Sequence, residues 1–234
     1  MSEVILVPGS FLSARAWRPV QDALDNHGLS SSAVELAGLG ARDQEQADLE
    51  AHIQDVLEAV RATRDQTLLV AHSYAGVPAA LAMARLAPTE RRTVSLMLLG
   101  AMLPVAGQSI FDGFGKGATY LRKLSLKLGG VAIPVLTEQQ LRDWGDHGLE
   151  GELLEKFKRV TYPHPIATYE APADPSFSWE TLEGRSILVN LLRDPLPVPD
   201  VALELMDVTE LDSGHWPMLT APLPLAEVIV KHAR

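Results

Sequence analysis

The sequence predicts an α/β fold with a six-stranded, mostly parallel sheet, helices on both faces and a helical insertion. Three observations lead to this prediction. Short apolar runs alternate with helical patterns over the first hundred residues and again after residue 185. Strands that alternate with helices favour a parallel sheet joined by right-handed crossovers. The chain has 234 residues, of which 47% are hydrophobic, so it can bury one large core without disulfides or metals.

Six segments are predicted to be strands because they are apolar runs or carry β-branched residues. They cover residues 4–7, 32–36, 68–71, 94–99, 186–191 and 208–211. Helical patterns occupy residues 16–26, 49–63, 76–86 and 223–232. The second of these helices places Leu49, Ile53, Val56, Leu57 and Val60 on one face, which is typical of a helix packed against a sheet.

The alternation stops between residues 103 and 184. Three helices are predicted there, at 119–128, 138–143 and 152–160, the first with Leu121, Leu124 and Leu128 on its packed face. An insertion this long within a regular domain is typical of a functional cover over a site. We therefore expect a core made of residues 1–102 and 185–234, with a helical cap at 103–184.

Composition excludes several classes of protein. Thirty acidic and twenty basic residues give a net charge of −10, which argues against a nucleic-acid partner. The absence of cysteine excludes a thiolate metal site and a cysteine nucleophile, and it fits a reducing compartment. The N-terminal residues lack the features of a signal peptide, and no apolar run has the length of a membrane span. The sequence thus predicts a cytoplasmic protein without a membrane partner and leaves a homodimer open.

Residues 68–76, LLVAHSYAG, join a predicted strand to a predicted helix. Ser73 lies at the turn, with Ala71 and Ala75 two residues away on either side. A tight strand–turn–helix that exposes a serine at the edge of the sheet is a nucleophile elbow, and its tightness requires small neighbours. The usual neighbours are glycines, so this is a relaxed form of the motif. We predict that Ser73 is a nucleophile.

A serine nucleophile needs a histidine base and an acid that orients the base. In this kind of fold both follow later in the chain, on loops after strands, in the order acid then histidine. Asp194 comes three residues after the strand at 186–191, and His215 comes four residues after the last strand. The sequence therefore predicts a catalytic triad of Ser73, Asp194 and His215.

Other candidates are weaker. Asp200 stays open as a second choice for the acid, whereas Asp212 is too close to His215 and Asp207 begins a strand. His72 adjoins Ser73 and is expected to pack against neighbouring loops. The remaining histidines have no ligand at metal-binding spacing, so no metal site is predicted and they are expected in surface or capping positions. These are His27, His52, His147, His164 and His232.

Three further segments carry a resemblance to a known family. They are residues 7–17 (VPGSFLSARAW, with Pro8 where a histidine is usual), 35–40 (ELAGLG) and 101–107 (AMLPVAG). Together with the elbow, they make the chain resemble the α/β-hydrolases, in particular the small branch with plant methylesterases and hydroxynitrile lyases. The resemblance implies an α/β-hydrolase fold and an oxyanion hole formed by the backbone N–H groups of Ser10 and Tyr74, which suits acyl transfer.

The resemblance implies a carboxylic ester hydrolase that acts on a small-molecule ester and needs no cofactor. Phe11, Tyr74 and Trp216, with residues of the cap, are expected to line an apolar substrate pocket. Two alternatives stay open: a lyase of the hydroxynitrile type using the same triad, and a non-catalytic receptor. The related lyases carry a lysine after the histidine and a threonine in the first loop, where this chain has Trp216 and Gly9.

Overall fold

The computed structural model describes residues 2–63, 66–143, 148–194 and 200–233. Its strands are β1 (Glu3–Val7), β2 (Ser30–Ala33), β3 (Thr67–His72), β4 (Val94–Leu99), β5 (Ala132–Ile133), β6 (His164–Pro165), β7 (Ser186–Leu191) and β8 (Asp207–Leu211). Of the segments discussed above, His147 and residues 195–199, which follow Asp194, lie outside the described residues.

Helices follow most of the strands. They are α1 (Arg18–Asn26), α2 (Leu49–Ala62), α3 (Gly76–Arg85), α4 (Pro88–Arg91), α5 (Ile110–Phe114), α6 (Lys116–Ser125), α7 (Glu138–Asp143), α8 (Gly151–Arg159), α9 (Ala167–Glu170), α10 (Asp200–Leu205), α11 (Pro217–Thr220) and α12 (Pro222–Ala233). Helix α1 packs against α12, and α2 packs against α3. Because the chain moves in opposite directions along the sheet through α1 and α2, right-handed crossovers place these two pairs on opposite faces.

The main sheet has the strand order β2-β1-β3-β4-β7-β8, and all five pairings between these strands are parallel. This confirms the predicted six-stranded α/β fold. Strand β3 is buried along its whole length, which explains its continuous apolar sequence. The carboxyl ends of parallel strands meet at one edge of a sheet, so the loops after β1, β3, β7 and β8 lie near one another.

Strand β2 differs from the prediction. It consists of Ser30–Ala33, whereas the apolar pattern indicated residues 32–36. An edge strand has a neighbour on one side only, so its serines can stay partly exposed and need no apolar run. Leu36, which the pattern placed in the strand, is instead completely buried beyond the end of the ladder.

The insertion is helical, as expected, but its details differ. Helix α7 has the predicted bounds and α8 lies one residue earlier. Helix α6 ends at Ser125 and is followed by a 3₁₀ turn, Leu126–Leu128, so Leu128 is exposed while Leu121 and Leu124 are buried. The antiparallel pair of β5 and β6 was not predicted, because strands of two residues are too short to show a periodicity.

At Gly76, helix α3 lies very close to the segment that follows β4. A Cβ atom at this position would lie 2.3 Å from the carbonyl oxygen of Met102 and 2.8 Å from the Cβ of Ala101. We expect Gly76→Ala to lower the free energy of unfolding by about 2 kcal/mol, because overpacking against backbone outweighs the helix propensity of alanine. Urea unfolding followed by circular dichroism measures this change.

Gly113→Ala in α5 is the matched control, because a Cβ atom there would meet no atom within 4 Å. This substitution should raise the free energy of unfolding by up to about 1 kcal/mol. Equal effects of the two substitutions would contradict the packing argument.

Candidate active site

Ser73 occupies a strained turn between β3 and α3. Its φ is 54°, and among the described residues only Ser73 and Phe11 are non-glycine residues with positive φ. Such a conformation costs about 1–3 kcal/mol and persists only where the surroundings enforce it. Here the carbonyl group of Ser73 accepts a hydrogen bond of 2.9 Å from the N–H of Met102. The turn has the form of a nucleophile elbow, with the serine side chain at the edge of the sheet.

The structure brings the three predicted triad residues together. The Nε2 atom of His215 lies 2.9 Å from the Oγ of Ser73, and its Nδ1 lies 2.6 Å from the Oδ2 of Asp194. Because a carboxylate accepts hydrogen bonds, Nδ1 carries the proton and Nε2 presents its lone pair to the serine hydroxyl. Asp200 begins α10, and the carboxylate bonded to His215 belongs to Asp194.

The loop after β1 comes very close to the elbow. A Cβ atom on Gly9 would lie 2.7 Å from Nδ1 of His72 and 2.9 Å from the Cβ of Ser73, so this position has no room for a side chain. The next residue is Ser10, whose amide has no hydrogen-bond acceptor among the described residues. The amide of Tyr74 belongs to the first turn after the elbow, where N–H groups point away from the helix. Both predicted oxyanion donors therefore lie beside Ser73.

The same loop is held in place by the insertion. The N–H of Phe11 donates to Nδ1 of His164 over 3.3 Å, and the carbonyl of Phe11 accepts from the N–H of Tyr162 over 2.7 Å. The N–H of Ser13 donates to the carbonyl of Val160 over 2.9 Å. Residues 160–164 thus bind the loop through its backbone, which accounts for the positive φ of 68° at Phe11.

Two histidines are in places that the sequence did not indicate. His52 and His164 are completely buried, so the prediction of surface or capping positions was wrong for both. His52 accepts a hydrogen bond from the Tyr74 hydroxyl and donates to the carbonyl of Ala37, each over 2.8 Å. His164 accepts from Phe11 and lies 2.9 Å from the hydroxyl of Thr168. Each ring therefore satisfies one backbone group and one side chain within the interior.

His72 packs against the loop of His215. Its Nε2 atom donates to the carbonyl oxygen of His215 over 2.7 Å, and the two rings are 4.9 Å apart. Burial lowers the pKa of His72 to about 3, with a smaller contribution from the nearby His215. Burial also lowers the pKa of His52 and the pKa of His164. All three side chains are therefore neutral at pH 7.

A cavity of about 260 Å³ lies above Ser73. Besides the three predicted triad residues, its lining consists of Ser10, Phe11, His72, Met102, Phe114, Leu121, Val135, Leu136, Leu141, Phe157, Tyr169 and Trp216. Phe11 and Trp216 were predicted to line it. Tyr74 was also predicted, but its ring is completely buried and its hydroxyl is bonded to His52.

Most of the residues that the sequence analysis missed come from the insertion. The apolar face of α6 was visible as a pattern, but it was assigned to packing alone. Leu121 on that face contributes to the cavity, as do Leu141 of α7 and Phe157 of α8. Phe157 also contacts Trp216, with ring centroids 4.8 Å apart. The inward side of an amphipathic helix serves packing and ligand contact alike, so periodicity could not separate the two.

The described residues contain no group of three or more histidine, cysteine or acidic side chains placed to hold a metal ion. None of the described helices combines the length and apolar character that a membrane crossing requires.

Residues 4–228 match the model of the alpha/beta hydrolase family, and the chain therefore belongs to that family. Among curated proteins, it is 28% identical, over an alignment 253 residues long, to a carbendazim hydrolyzing esterase of Nocardioides sp. (strain SG-4G), covering 97% of this chain and 98% of the relative. The resemblance seen in the sequence is thus confirmed, and the chain is an enzyme of the carboxylic ester hydrolase type.

Solved structures show the same fold. An extracellular alpha/beta-hydrolase from a Paenibacillus species, described as similar to tobacco salicylic acid binding protein 2, has a TM-score of 0.85 at 20% identity, over 99% of this chain and 98% of the other. Polyneuridine aldehyde esterase has a TM-score of 0.72 at 18% identity, over 100% and 99%.

The neutral state of His72 predicts a pH dependence of stability. A histidine with a folded pKa of about 3 stays unprotonated while the unfolded chain takes up a proton below its usual pKa of about 6.5. The free energy of unfolding should therefore fall as the pH is lowered from 7 to 5, by up to about 1.4 kcal/mol per pH unit from this residue. His72→Gln, which keeps an N–H donor but does not titrate, should make this slope shallower by that amount.

His72→Leu is the matched control. It should give the same shallower slope, but it should also lower stability at pH 7 by about 1–3 kcal/mol, because the carbonyl of His215 loses its donor. Urea titrations at several pH values measure both quantities. A slope that is unchanged in both variants would show that His72 has the same pKa in the folded and the unfolded protein.

Proposed function

We propose that the protein hydrolyses a small carboxylic ester through an acyl-enzyme formed on Ser73. The observation that carries this proposal is the line of hydrogen bonds from Asp194 through His215 to Ser73 beneath an apolar cavity. A nucleophile, a base and an orienting acid within hydrogen-bond reach are the arrangement that acyl transfer requires. The family and the relative named as an esterase support the same reaction class.

In the proposed reaction, His215 removes the proton of Ser73 while the serine oxygen attacks the ester carbonyl carbon. The amides of Ser10 and Tyr74 stabilise the oxyanion, because fixed backbone dipoles need no reorganisation. His215 then gives its proton to the departing alcohol. A water activated by His215 attacks the acyl-enzyme and releases the acid. Asp194 holds the imidazole in the required tautomer and stabilises its charged form.

The cavity supports a small, uncharged substrate. Among the residues that the structure describes, the lining contains no lysine, arginine or glutamate, and its one carboxylate, Asp194, is bonded to His215. A volume of about 260 Å³ lies just below the usual range for ligand pockets, which begins at about 300 Å³. Burying an unpaired charge in such surroundings is costly, which favours apolar acyl or alcohol groups.

The site does not favour the lyase alternative. A departing cyanide needs a fixed positive charge, but the residue after His215 is the buried Trp216, which offers a neutral N–H. A threonine in place of Gly9 would collide with His72 and Ser73. The receptor alternative gives no reason for the alignment of Asp194 and His215 with the serine.

A cytoplasmic location and the absence of a nucleic-acid partner are further parts of this proposal. The net charge of −10 and the lack of cysteine support them.

Ser73→Ala should abolish hydrolysis of 4-nitrophenyl acetate, because it removes the hydroxyl that is bonded to Nε2 of the proposed base, His215. A fluorophosphonate should modify the wild-type protein on the peptide that contains Ser73, as read by mass spectrometry. Ser176 is an exposed serine outside the cavity, so Ser176→Ala is the control. This variant should keep both the hydrolysis of 4-nitrophenyl acetate and the labelling by the fluorophosphonate. Near wild-type turnover by Ser73→Ala would refute the proposal, and cyanide release from mandelonitrile that depends on Ser73 would favour the lyase.

Asp194→Asn should lower kcat by a factor on the order of 10³–10⁴, because an amide at this position stabilises the wrong imidazole tautomer. Asp200→Asn is the matched control and should have little effect, since Asp200 lies at the start of α10. Steady-state kinetics with 4-nitrophenyl acetate distinguish the two. The reverse order of effects would assign the acid to Asp200.

A further inference from the structure

Two hydroxyl groups stand together in the wall of the cavity. The Oγ of Ser10 and the hydroxyl of Tyr169 form a short hydrogen bond with each other, and both residues line the cavity. Ser10 belongs to the loop after β1, and Tyr169 belongs to α9 of the insertion. Apart from this pair, His72 and the proposed triad, the described residues of the lining are apolar except for the ring N–H of Trp216.

The pair has more donors than its one hydrogen bond uses. Two hydroxyl groups carry two protons, and a hydrogen bond between them engages one. Among the described residues, neither hydroxyl has another hydrogen-bond partner. Burial raises the pKa of Tyr169 to about 12, so its hydroxyl keeps the proton at any working pH. One O–H group is therefore left to donate to a molecule in the cavity.

The surroundings hold this donor in a fixed position. The ring of Tyr169 stacks on the ring of Tyr74 with centroids 5.4 Å apart and planes 12° apart. The edge of His164 contacts the same ring, with centroids 5.3 Å apart. A hydroxyl that is held by packing loses little entropy when it binds a ligand, which makes it a selective contact.

The position of Ser10 suggests where on the substrate the acceptor lies. In the proposed mechanism, the amide of Ser10 binds the carbonyl oxygen of the ester. The amide nitrogen and the Oγ of a serine are three bonds apart. A carbonyl oxygen and an oxygen on the neighbouring carbon are also three bonds apart, so the two pairs of atoms have comparable spacing of about 3 Å.

Resting on the proposed function, we propose that the Ser10–Tyr169 pair is a specificity subsite for esters whose acyl group carries an oxygen on the carbon next to the scissile carbonyl. The free O–H donates to that oxygen. An acyl group with a methylene in place of that oxygen leaves the O–H donor unpaired in an apolar cavity, which costs binding energy in the transition state. The substrate class is therefore α-alkoxy or α-hydroxy acyl esters.

The test compares two esters of equal size, 4-nitrophenyl methoxyacetate and 4-nitrophenyl butyrate, which differ by an oxygen in place of a methylene. The ratio of their kcat/KM values is divided by the ratio of their rates of alkaline hydrolysis, which removes the difference in intrinsic reactivity. For the wild-type protein, we expect a remaining preference for methoxyacetate of about tenfold. No remaining preference would overturn the proposal.

The decisive variant is Ser10→Ala combined with Tyr169→Phe, because either hydroxyl alone could still donate. It keeps the backbone amide and the stacked ring, and it should abolish the preference. The control is Ser176→Ala combined with Tyr120→Phe, which removes one serine hydroxyl and one tyrosine hydroxyl from the exposed surface. This control should keep the preference for methoxyacetate. A double variant that retains the wild-type preference, or a control that loses it, would overturn the proposal.

These outcomes are separate from the fate of the proposed function. Turnover that persists in Ser73→Ala would refute the proposed ester hydrolysis on Ser73, whatever the ratio of the two esters. Labelling of Ser73 by a fluorophosphonate in the double variant shows that its active site is intact. With that labelling present, a preference that persists counts against the subsite alone.

Discussion

The close packing around the turn at Ser73 is the constraint on which the rest of the site depends. Gly9 lies against it on one side, and Gly76 meets the backbone at Met102 on the other. With both neighbours this near, the serine is held in a conformation that a free chain would leave. The hydrogen bond from Met102 to the carbonyl of Ser73 links the turn to the end of β4. Close approaches of the backbone at Gly9, Gly76 and Met102 therefore fix the position of Ser73.

Neutral buried histidines provide a second layer of support. A neutral imidazole has one donor and one acceptor, so it can join two groups that lack partners without bringing a charge into the interior. His164 joins the amide of Phe11 and the hydroxyl of Thr168 in this way. His72 donates to the carbonyl of His215, and its buried Nδ1 has no partner among the described residues. Both therefore support loops that carry proposed site residues. Burial keeps the pKa of each ring low, and the hydrogen bond from Phe11 depends on this, because a protonated His164 could not accept it.

The insertion does more than cover the site. Residues 160–164 hold the loop after β1 through backbone hydrogen bonds, and Tyr169 reaches the side chain of Ser10. Helices α6, α7 and α8 supply apolar side chains to the cavity wall. The shape of the cavity and the position of the loop after β1 thus depend on the same segment. The pattern of elements indicated separate core and cap segments in the sequence. In the structure, residues of both segments contribute to the same cavity.

The sequence by itself determined the sheet and the loops that carry Ser73, Asp194 and His215. Apolar runs identify strands that are buried on both faces, and the parallel arrangement then brings the loops after those strands to one edge. Such inferences need only local patterns and the geometry of one sheet. They were less accurate for β2, because an edge strand is not required to be apolar. The catalytic roles of Ser73, Asp194 and His215 are part of the proposal, but the proximity of these three residues follows from the fold.

Only the tertiary structure decided what surrounds those loops. Ser10 and Tyr169 are 159 positions apart, and Phe11 and His164 are 153 apart. No periodicity connects residues at such distances, since their meeting depends on how the insertion folds back over the sheet. His52 and His164 looked like surface residues because histidine is compatible with both environments until its partners are known. Likewise, the apolar side of a helix can either pack against the core or line a cavity, so its pattern could not identify the cavity wall.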